Sequence, residues 1–204
     1  MHPKLGKYVL LGDSQFVRLA KNCLSYQRCR GRNIGFCKSG QTVSDLLQLV
    51  QNSRSLPEFV ILLIGTNDIK NSEESSSFIC AQYDRLIVTM KDKGCKEIIV
   101  CTIPPILFLQ NNSAIRAKLK SVNTRIQAKA VDPSLSVCNL YKLFFKRAGH
   151  IRGELFQRKY HDGRPDNIHW NLKGMELAQQ ALLDHIHQIE VQKQEATLQH
   201  NPDH

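Results

Sequence analysis

The stretch Tyr8-Val9-Leu10-Leu11-Gly12-Asp13-Ser14 decides the fold. Its first four residues form an uninterrupted apolar run, which is typical of a strand buried on both faces of a parallel sheet. The run ends at Gly-Asp-Ser and gives way to a more polar stretch with helical spacing. Because α/β sheets bind ligands beyond the carboxyl ends of their strands, this arrangement predicts that Ser14 lies where such folds place their chemistry.

Four more strand-like runs alternate with helix-like segments along the chain. The predicted strands are 8–11, 33–37, 59–64, 98–101 and 135–140. The predicted helices are 16–24, 43–50, 78–91, 113–131 and 172–191. This alternation predicts one three-layer α/β/α domain over residues 1–191, with a parallel five-stranded sheet in the order 2-1-3-4-5. The polar residues 192–204 are predicted to form a disordered tail.

Length and cysteine usage narrow the class of protein. A chain of 204 residues is long enough to bury the core of one large domain. It contains no apolar run long enough for a membrane span, and residues 1–4 lack an apolar signal region. Its seven cysteines have no close pairs, so we expect reduced thiols in an intracellular, cytoplasmic protein. Neither Cys-x-x-Cys nor His-Glu-x-x-His occurs, and we expect no metal and no cofactor.

Positive charge is concentrated in two stretches of a chain whose formal net charge is +10. The first basic group lies between Ser14 and Ser44, where no acidic residue occurs, and consists of Arg18, Lys21, Arg28, Arg30, Arg32 and Lys38. The second basic group lies between residues 105 and 165 and consists of Arg116, Lys118, Lys120, Arg125, Lys129, Lys142, Lys146, Arg147, Arg152, Arg158, Lys159 and Arg164. Such surfaces either keep a protein soluble or bind a polyanion such as nucleic acid.

Polar residues suited to acyl transfer follow the predicted strands. Ser14, Gly40 and Asn67 come after the first, second and third strands, and Asp166 and His169 precede the last helix. A serine needs a base to become a nucleophile, which His169 can provide while Asp166 orients its ring. The backbone N–H groups of Ser14 and Gly40 and the amide of Asn67 suit an oxyanion hole. Taken singly, each residue also fits a turn, a cap or a packed core position.

Taken together, Gly12-Asp13-Ser14, Gly40, Gly65-x-Asn67-Asp68 and Asp166-x-x-His169 resemble the four ordered blocks of the SGNH (GDSL-type) hydrolase superfamily. The resemblance covers about residues 7–190. It implies a flavodoxin-like fold and a metal-free serine esterase, lipase or acetylhydrolase that cleaves a small acyl or acetyl ester. By this resemblance Ser14 is the nucleophile, His169 is the base and Asp166 is the acid that orients it. Gly40 and Asn67 are the implied oxyanion donors. Gln15 stands where the family varies, and we assign it no role.

A non-catalytic alternative shares the same fold. The C-terminal domain of the insect germ-plasm protein Oskar resembles an SGNH hydrolase and binds RNA through a basic surface. On this alternative the site is relict, and the first basic group contacts RNA. Hydrolase-like domains encoded by the first reading frame of some retrotransposons, which act beside nucleic acid, are a third group to which the sequence could belong. Because all three share the fold, the sequence leaves an esterase and an RNA-binding module both open, and the oligomeric state unknown.

Overall fold

The computed structural model describes residues 2–26, 33–107, 111–160 and 162–199. The strands are β1 (Lys4–Leu5), β2 (Tyr8–Gly12), β3 (Asn33–Ile34), β4 (Cys37–Lys38), β5 (Phe59–Leu63), β6 (Glu97–Cys101) and β7 (Leu135–Cys138). The α-helices are α1 (Ser14–Asn22), α2 (Val43–Asn52), α3 (Thr66–Lys70), α4 (Ser76–Asp92), α5 (Ser113–Gln127), α6 (Leu140–Leu143) and α7 (Leu172–Gln199). Short 3-10 helices span Ala128–Val131 and Gly153–Leu155.

The central sheet confirms the predicted α/β class and strand order. Strands β4, β2, β5, β6 and β7 are neighbours in that order, and each adjacent pair is parallel. This is the order 2-1-3-4-5 of the predicted strands. Two short antiparallel strands are added to it, β1 against β2 and β3 against β4.

The second predicted strand, 33–37, is wrong as a continuous strand. The chain instead reverses between β3 and β4, which pair antiparallel through Ile34 and Cys37. Gly35 lies in the turn with a φ of 58°. Glycine adopts this left-handed conformation at little cost, so the chain can reverse within a segment that looks apolar enough for one strand.

Alternating side chains of the sheet face two separate cores. On β2 and β5, Leu11 and Leu62 pack in a core with α2, α4 and α5. Leu10 and Ile61 point to the opposite side and pack in a core with α1 and α7. Because both faces of these strands are covered, the helices form the outer layers of a three-layer α/β/α arrangement.

Gly12 allows the two central strands to end side by side. A Cβ at this position would lie 1.9 Å from the carbonyl oxygen of Leu63 on β5, which no larger residue can tolerate. The backbone N–H of Asp13 also donates to that carbonyl oxygen at 3.2 Å. The residues that follow β2 and β5 are therefore brought to the same point of the sheet edge.

The last helix corrects the predicted tail. α7 continues through Gln199, so residues 192–199 are helical, and residues 200–204 lie outside the described residues. The segment 192–199 is rich in Gln, Lys, Glu and Ala, which favour helix, and the next helix-breaking residue is Pro202. None of the helices in the described ranges is long and apolar enough to cross a membrane.

Candidate active site

The three residues predicted as a catalytic triad lie in one hydrogen-bonded array. The Nε2 atom of His169 is 3.0 Å from Oγ of Ser14. The Nδ1 atom of His169 is 2.8 Å and 3.0 Å from the two carboxylate oxygens of Asp166. The serine hydroxyl therefore meets one ring nitrogen while the carboxylate holds the other, which is the arrangement that lets a histidine remove a proton from serine.

Ser14 is held at the first position of α1. The side chain of Asp13 caps this helix by accepting a hydrogen bond from the backbone N–H of Gln15 at 3.0 Å. Burial raises the pKa of the Asp13 carboxyl, which is completely enclosed. Backbone N–H groups of a first helical turn have no acceptor within the helix, so the N–H of Ser14 has no partner in α1 and can serve a ligand.

The loop that carries Asp166 and His169 is one side of a small antiparallel arrangement. The backbone N–H of Gln157 donates to the carbonyl oxygen of His169 at 2.8 Å, and that of Asn167 donates to Gln157 at 2.8 Å. Asn167 has a φ of 51°, a left-handed conformation that asparagine tolerates better than most residues. The backbone N–H groups of Ile168 and His169 both donate to Oδ1 of Asp166, at 3.2 Å each. The turn therefore fixes the carboxylate beneath the imidazole.

Gln15 connects this loop to α1, a role that the sequence did not reveal. Its side-chain N–H donates to the carbonyl oxygen of Ile168 at 3.0 Å, and its side-chain oxygen accepts from the backbone N–H of Trp170 at 3.2 Å. The amide thus contacts the residues on both sides of His169. Gln15 is only 2% exposed, so its hydrogen bonds are shielded from water. These two hydrogen bonds tie the backbone on either side of His169 to the start of α1.

Two of the predicted oxyanion donors line the same cleft as Ser14. Gly40 and Asn67 both border it, and Asn67 lies in the first turn of α3. One side-chain N–H of Asn67 donates to the carbonyl oxygen of Gln41 at 2.9 Å, which orients the amide and leaves its second N–H for a ligand. Gly40 has a φ of 82° and no atom near its missing Cβ, so its backbone is open to the cleft.

Asp68 supports the loop that contains Gly40. Its carboxylate accepts two hydrogen bonds from the backbone N–H of Val43, at 3.0 and 3.2 Å, at the start of α2. Burial raises the pKa of this carboxyl to about 6, against the opposing effect of that backbone hydrogen bond. Asp68 therefore joins the end of β5 to the loop after β4, and this connection fixes Gly40 and Asn67, the two predicted oxyanion donors, relative to each other.

The electrostatic surroundings favour neutral imidazole. Burial lowers the pKa of His169, while the carboxylate of Asp166 acts in the opposite direction. The cations of Arg18 and Lys70 lower the pKa further. A histidine with a lowered pKa is unprotonated at neutral pH and is available as a base.

Positive side chains surround the array in an open cleft of about 610 Å³. Arg18, Lys70 and Arg164 line this cleft together with Ser14 and His169. Arg18 contacts Gln157, and its guanidinium is 3.7 Å from the Asp166 carboxylate. Arg18 therefore helps to hold the loop that carries Asp166 and His169. Tyr160 places the edge of its ring against His169 at a centroid distance of 5.8 Å.

The first basic group is divided by the fold. Lys21 and Lys38 are exposed, whereas Arg18 is half-buried beside Asp166. Arg28, Arg30 and Arg32 lie outside the described residues. In the second basic group, Arg164 reaches the cleft and Arg116 lines a separate cavity, so the group does not form one patch at the mouth of the cleft. Within the described part of the chain, no three His, Cys, Asp or Glu side chains are grouped as metal ligands.

The sequence matches a model of the OSK domain over residues 1–188. Among solved structures, the chain is similar to the OSK domain of Drosophila Oskar, with a TM-score of 0.77 and 21% identity over 89% of this chain and 88% of the other. It is also similar to a GDSL-like lipase from Bacteroides thetaiotaomicron, with a TM-score of 0.70 and 15% identity over 93% of both chains.

A third similar structure is a carbohydrate esterase family 3 protein from Talaromyces cellulolyticus, with a TM-score of 0.58 and 20% identity over 88% of this chain and 95% of the other. No curated protein matches the sequence. At these identities the likeness to solved structures concerns the fold, and it includes both Oskar domains and SGNH hydrolases.

Proposed function

Because this chain belongs to the OSK domain family and also carries a hydrogen-bonded Ser-His-Asp array, we propose that it is a serine ester hydrolase of the SGNH type. The observation that carries the proposal is the 3.0 Å contact between Oγ of Ser14 and Nε2 of His169, at the floor of an open cleft. The open cleft beside this contact, together with the carboxylate that holds the other ring nitrogen of His169, supports an active serine over a relict site.

The proposed reaction is transfer of an acyl group from an ester to water. Oγ of Ser14 attacks the ester carbonyl carbon while Nε2 of His169 accepts the serine proton. The resulting oxyanion accepts hydrogen bonds from the backbone N–H groups of Ser14 and Gly40 and from the amide of Asn67. Collapse breaks the bond to the alcohol, which takes the proton from His169. Water then attacks the acyl-serine while His169 accepts a proton from the water. Collapse of this second intermediate releases the acid, and His169 returns the proton to Oγ of Ser14.

Labelling by a fluorophosphonate tests this proposal without knowledge of the natural ester. The wild-type protein should react at Ser14 and should hydrolyse a chromogenic short-chain ester. Ser14→Ala should not label, and its kcat should fall by a factor on the order of 10⁶, as in other serine hydrolases. Ser44→Ala, at a half-buried serine of α2 outside the cleft, is the matched control and should label normally. A wild-type protein that is folded yet neither labels nor hydrolyses any short-chain ester would contradict the proposal.

The second candidate function is RNA binding through the basic surface, which corresponds to the non-catalytic alternative in the sequence analysis. The observation that favours it is the exposure of Lys21 and Lys38, which form no ion pair within the described residues, in a chain of net charge +10. Binding of single-stranded RNA should weaken with salt, with a log–log slope of about −0.7 per phosphate contacted. Reversing Arg28, Arg30 and Arg32 to glutamate should lower the affinity and flatten that slope, while fluorophosphonate labelling of Ser14 is unchanged. Absence of binding to micromolar RNA at low salt would remove this candidate.

A further inference from the structure

A second cavity lies at the same edge of the sheet as the Ser14 cleft, but beyond β6 and β7. Its volume is about 270 Å³, and within the described residues it shares no lining side chain with the cleft. Ile106 and Leu119 form an apolar floor, and Tyr141 and Phe145 form one wall. At this volume it falls just below the ~300 Å³ at which pockets for drug-sized ligands begin, so it suits one planar ring system better than a long chain.

The aromatic wall is fixed by the backbone around it. The rings of Tyr141 and Phe145 have centroids 4.7 Å apart at an interplanar angle of 51°. The backbone N–H of Tyr141 donates to Oγ1 of Thr102 at 2.8 Å, and Phe145 pairs with Ile151 in an antiparallel bridge. Both rings are half-buried, so each keeps part of its surface open to the cavity. Aromatic rings held in this way can stack on a planar ligand without first losing conformational freedom.

A tight turn places cations beside these rings. The backbone N–H of Lys146 donates to the carbonyl oxygen of His150 at 2.8 Å, and that of Gly149 donates to Lys146 at 2.9 Å. Gly149 has a φ of 80°, which closes the turn. Lys146 and Arg147 are exposed at its tip and border a shallow cavity on the other side of Tyr141 and Phe145.

The positive charge extends around the cavity on both sides of the aromatic wall. The cations that line the two cavities are Arg116, Lys142, Lys146 and Arg147. The Arg116 cation lies close enough to Tyr141 to oppose the rise that burial causes in the pKa of the phenol. No aspartate or glutamate lines either cavity among the described residues, and nearby Glu154 is paired with Arg152 at 3.3 Å.

We propose that this aromatic pocket binds one base of a single-stranded nucleic acid, with the flanking phosphates held by the surrounding cations. A base supplies a flat ring for Tyr141 and Phe145, and the backbone supplies anions on both sides of it, which is the combination that single-strand-binding proteins use. An acyl chain would leave the cations without a partner. A duplex would first have to unpair and unstack a base, which costs free energy that a single strand does not lose. The pocket adds a defined subsite to the RNA-binding candidate and does not depend on ester hydrolysis.

Fluorescence anisotropy with a labelled single-stranded oligonucleotide at low salt tests the proposal. Phe145→Leu and Tyr141→Leu keep apolar side chains but remove the ring faces. Because stacking on one aromatic residue is worth a factor of about 5 to about 150 in affinity, each variant should weaken binding within that range. Neither removes a charge, so the slope of log affinity against log salt should stay the same. Phe78→Leu, at an exposed phenylalanine of α4, is the matched control and should bind as the wild type does.

Removal of the cations, unlike removal of the rings, should change the slope of log affinity against log salt. Lys146→Gln with Arg147→Gln should flatten the salt slope by about 0.7 for each phosphate that the variant no longer binds. Lys120→Gln, at an exposed lysine of α5 outside both cavities, is the control. The difference between the two sets of variants separates stacking from general attraction to a basic surface. RNA and DNA versions of the same oligonucleotide establish which sugar the pocket accepts.

Crosslinking of the wild-type protein to an oligonucleotide containing 4-thiouridine or 4-thiothymidine keeps the proposal testable if a variant fails to fold. Adducts located by mass spectrometry on Tyr141 or Phe145 would support it. Adducts found only elsewhere, folded leucine variants that bind with wild-type affinity, or no binding of RNA or DNA at low salt would each overturn it. Fluorophosphonate labelling of the same samples reports the hydrolase proposal separately, since Tyr141 and Phe145 do not line the Ser14 cleft.

Discussion

Two hydrogen-bonded chains of three side chains lie at opposite edges of the sheet. At the carboxyl edge, His169 connects Ser14 to the buried carboxylate of Asp166. At the amino edge, Glu97 at the start of β6 accepts hydrogen bonds from the hydroxyl of Tyr8 and from the ammonium of Lys193. We call the first the serine array and the second the glutamate array. Both join residues that are far apart in sequence. The serine array borders the 610 Å³ cleft, and none of the cavities described above is lined by Tyr8, Glu97 or Lys193.

The difference lies in what each array leaves available. In the glutamate array, both carboxylate oxygens are occupied, one by Tyr8 and one by Lys193, and α7 is thereby fastened to the sheet. In the serine array, Oγ of Ser14 faces the cleft and the pKa of His169 is lowered. A hydrogen-bonded triad of titratable groups is therefore not by itself a site. The open cleft and the unprotonated base distinguish the one from the other.

After loss of Ser14 itself, the largest effect is expected from a neighbour of the serine array, the predicted oxyanion donor Asn67. Asn67→Ala removes a side-chain amide that borders the cleft, so kcat for a short-chain ester should fall by about 10²–10³-fold, as measured for oxyanion-hole deletions elsewhere. KM should change little, because the missing hydrogen bond forms mainly in the transition state. Steady-state kinetics measures both constants, and Asn52→Ala at the exposed end of α2 is the control. A kcat within a factor of about two of the wild type would remove Asn67 from the oxyanion hole.

A smaller loss is expected when the support of His169 is weakened. Gln15→Met keeps the length of the side chain but removes its hydrogen bonds to Ile168 and Trp170. Because small misplacements of catalytic groups cost up to ~10²-fold, kcat and the rate of fluorophosphonate labelling should fall by about 10- to 100-fold. Gln15→Glu keeps the acceptor for Trp170 and should recover part of the loss. Gln48→Met at an exposed position of α2 is the control. If Gln15→Met and the wild-type protein label at equal rates, Gln15 has a structural role only.

The parts of the site that follow from strand ends were predictable. Ser14, Gly40 and Asn67 each come directly after a strand, and parallel strands bring their carboxyl ends to one edge. Gln15 was not predictable, because its partners are contributed by a loop more than a hundred residues away that folds against α1. Arg18 looked like part of a basic surface, although its position one helical turn after Ser14 places it on the same face of α1.

The fold was predictable where hydrophobic patterns are long and uninterrupted. The central strands and the long helices have clear periods, and the right-handed crossover rule restricts their order. The β3–β4 hairpin was missed because five residues carry no usable period, and Gly35 was its only local signal. The glutamate array was missed for another reason. Glu97 and Lys193 look like ordinary surface charges, and only the packing of α7 brings them together.

The glutamate array should affect stability and leave labelling unchanged. Tyr8→Phe removes one hydrogen bond to the Glu97 carboxylate, and the free energy of unfolding should fall by about 1–2 kcal/mol. Burial acts to raise the pKa of Glu97, but the hydrogen bonds from Lys193 and Tyr8 outweigh it and the pKa is lowered. The stabilisation is therefore full above the ordinary glutamate pKa of ~4.3 and is lost as the pH falls through the folded value.

Urea unfolding at pH 7 and near pH 3 measures both parts of this prediction. The difference between Tyr8→Phe and wild type should be smaller at the acidic pH. Tyr26→Phe, at a half-buried tyrosine, is the control and should change stability by less than about 0.5 kcal/mol. Loss of fluorophosphonate labelling in folded Tyr8→Phe protein would show that the two edges of the sheet are coupled, against the separation that we infer.

The smallest expected effect is a displacement of the pH profile. The pKa of His169 is lowered by burial, raised by Asp166 and lowered again by the cations of Arg18 and Lys70. The acid limb of kcat/KM should therefore have its midpoint below the ordinary histidine value of ~6.5, because the base must be unprotonated. Lys70→Gln removes one cation and should move the limb towards higher pH, whereas Lys120→Gln should not. Titration of the His169 ring by NMR measures the same pKa without turnover, and there Asp166→Asn should move it the opposite way from Lys70→Gln. If both substitutions move the pKa in one direction, the charges around Ser14 do not act on His169 as the geometry requires.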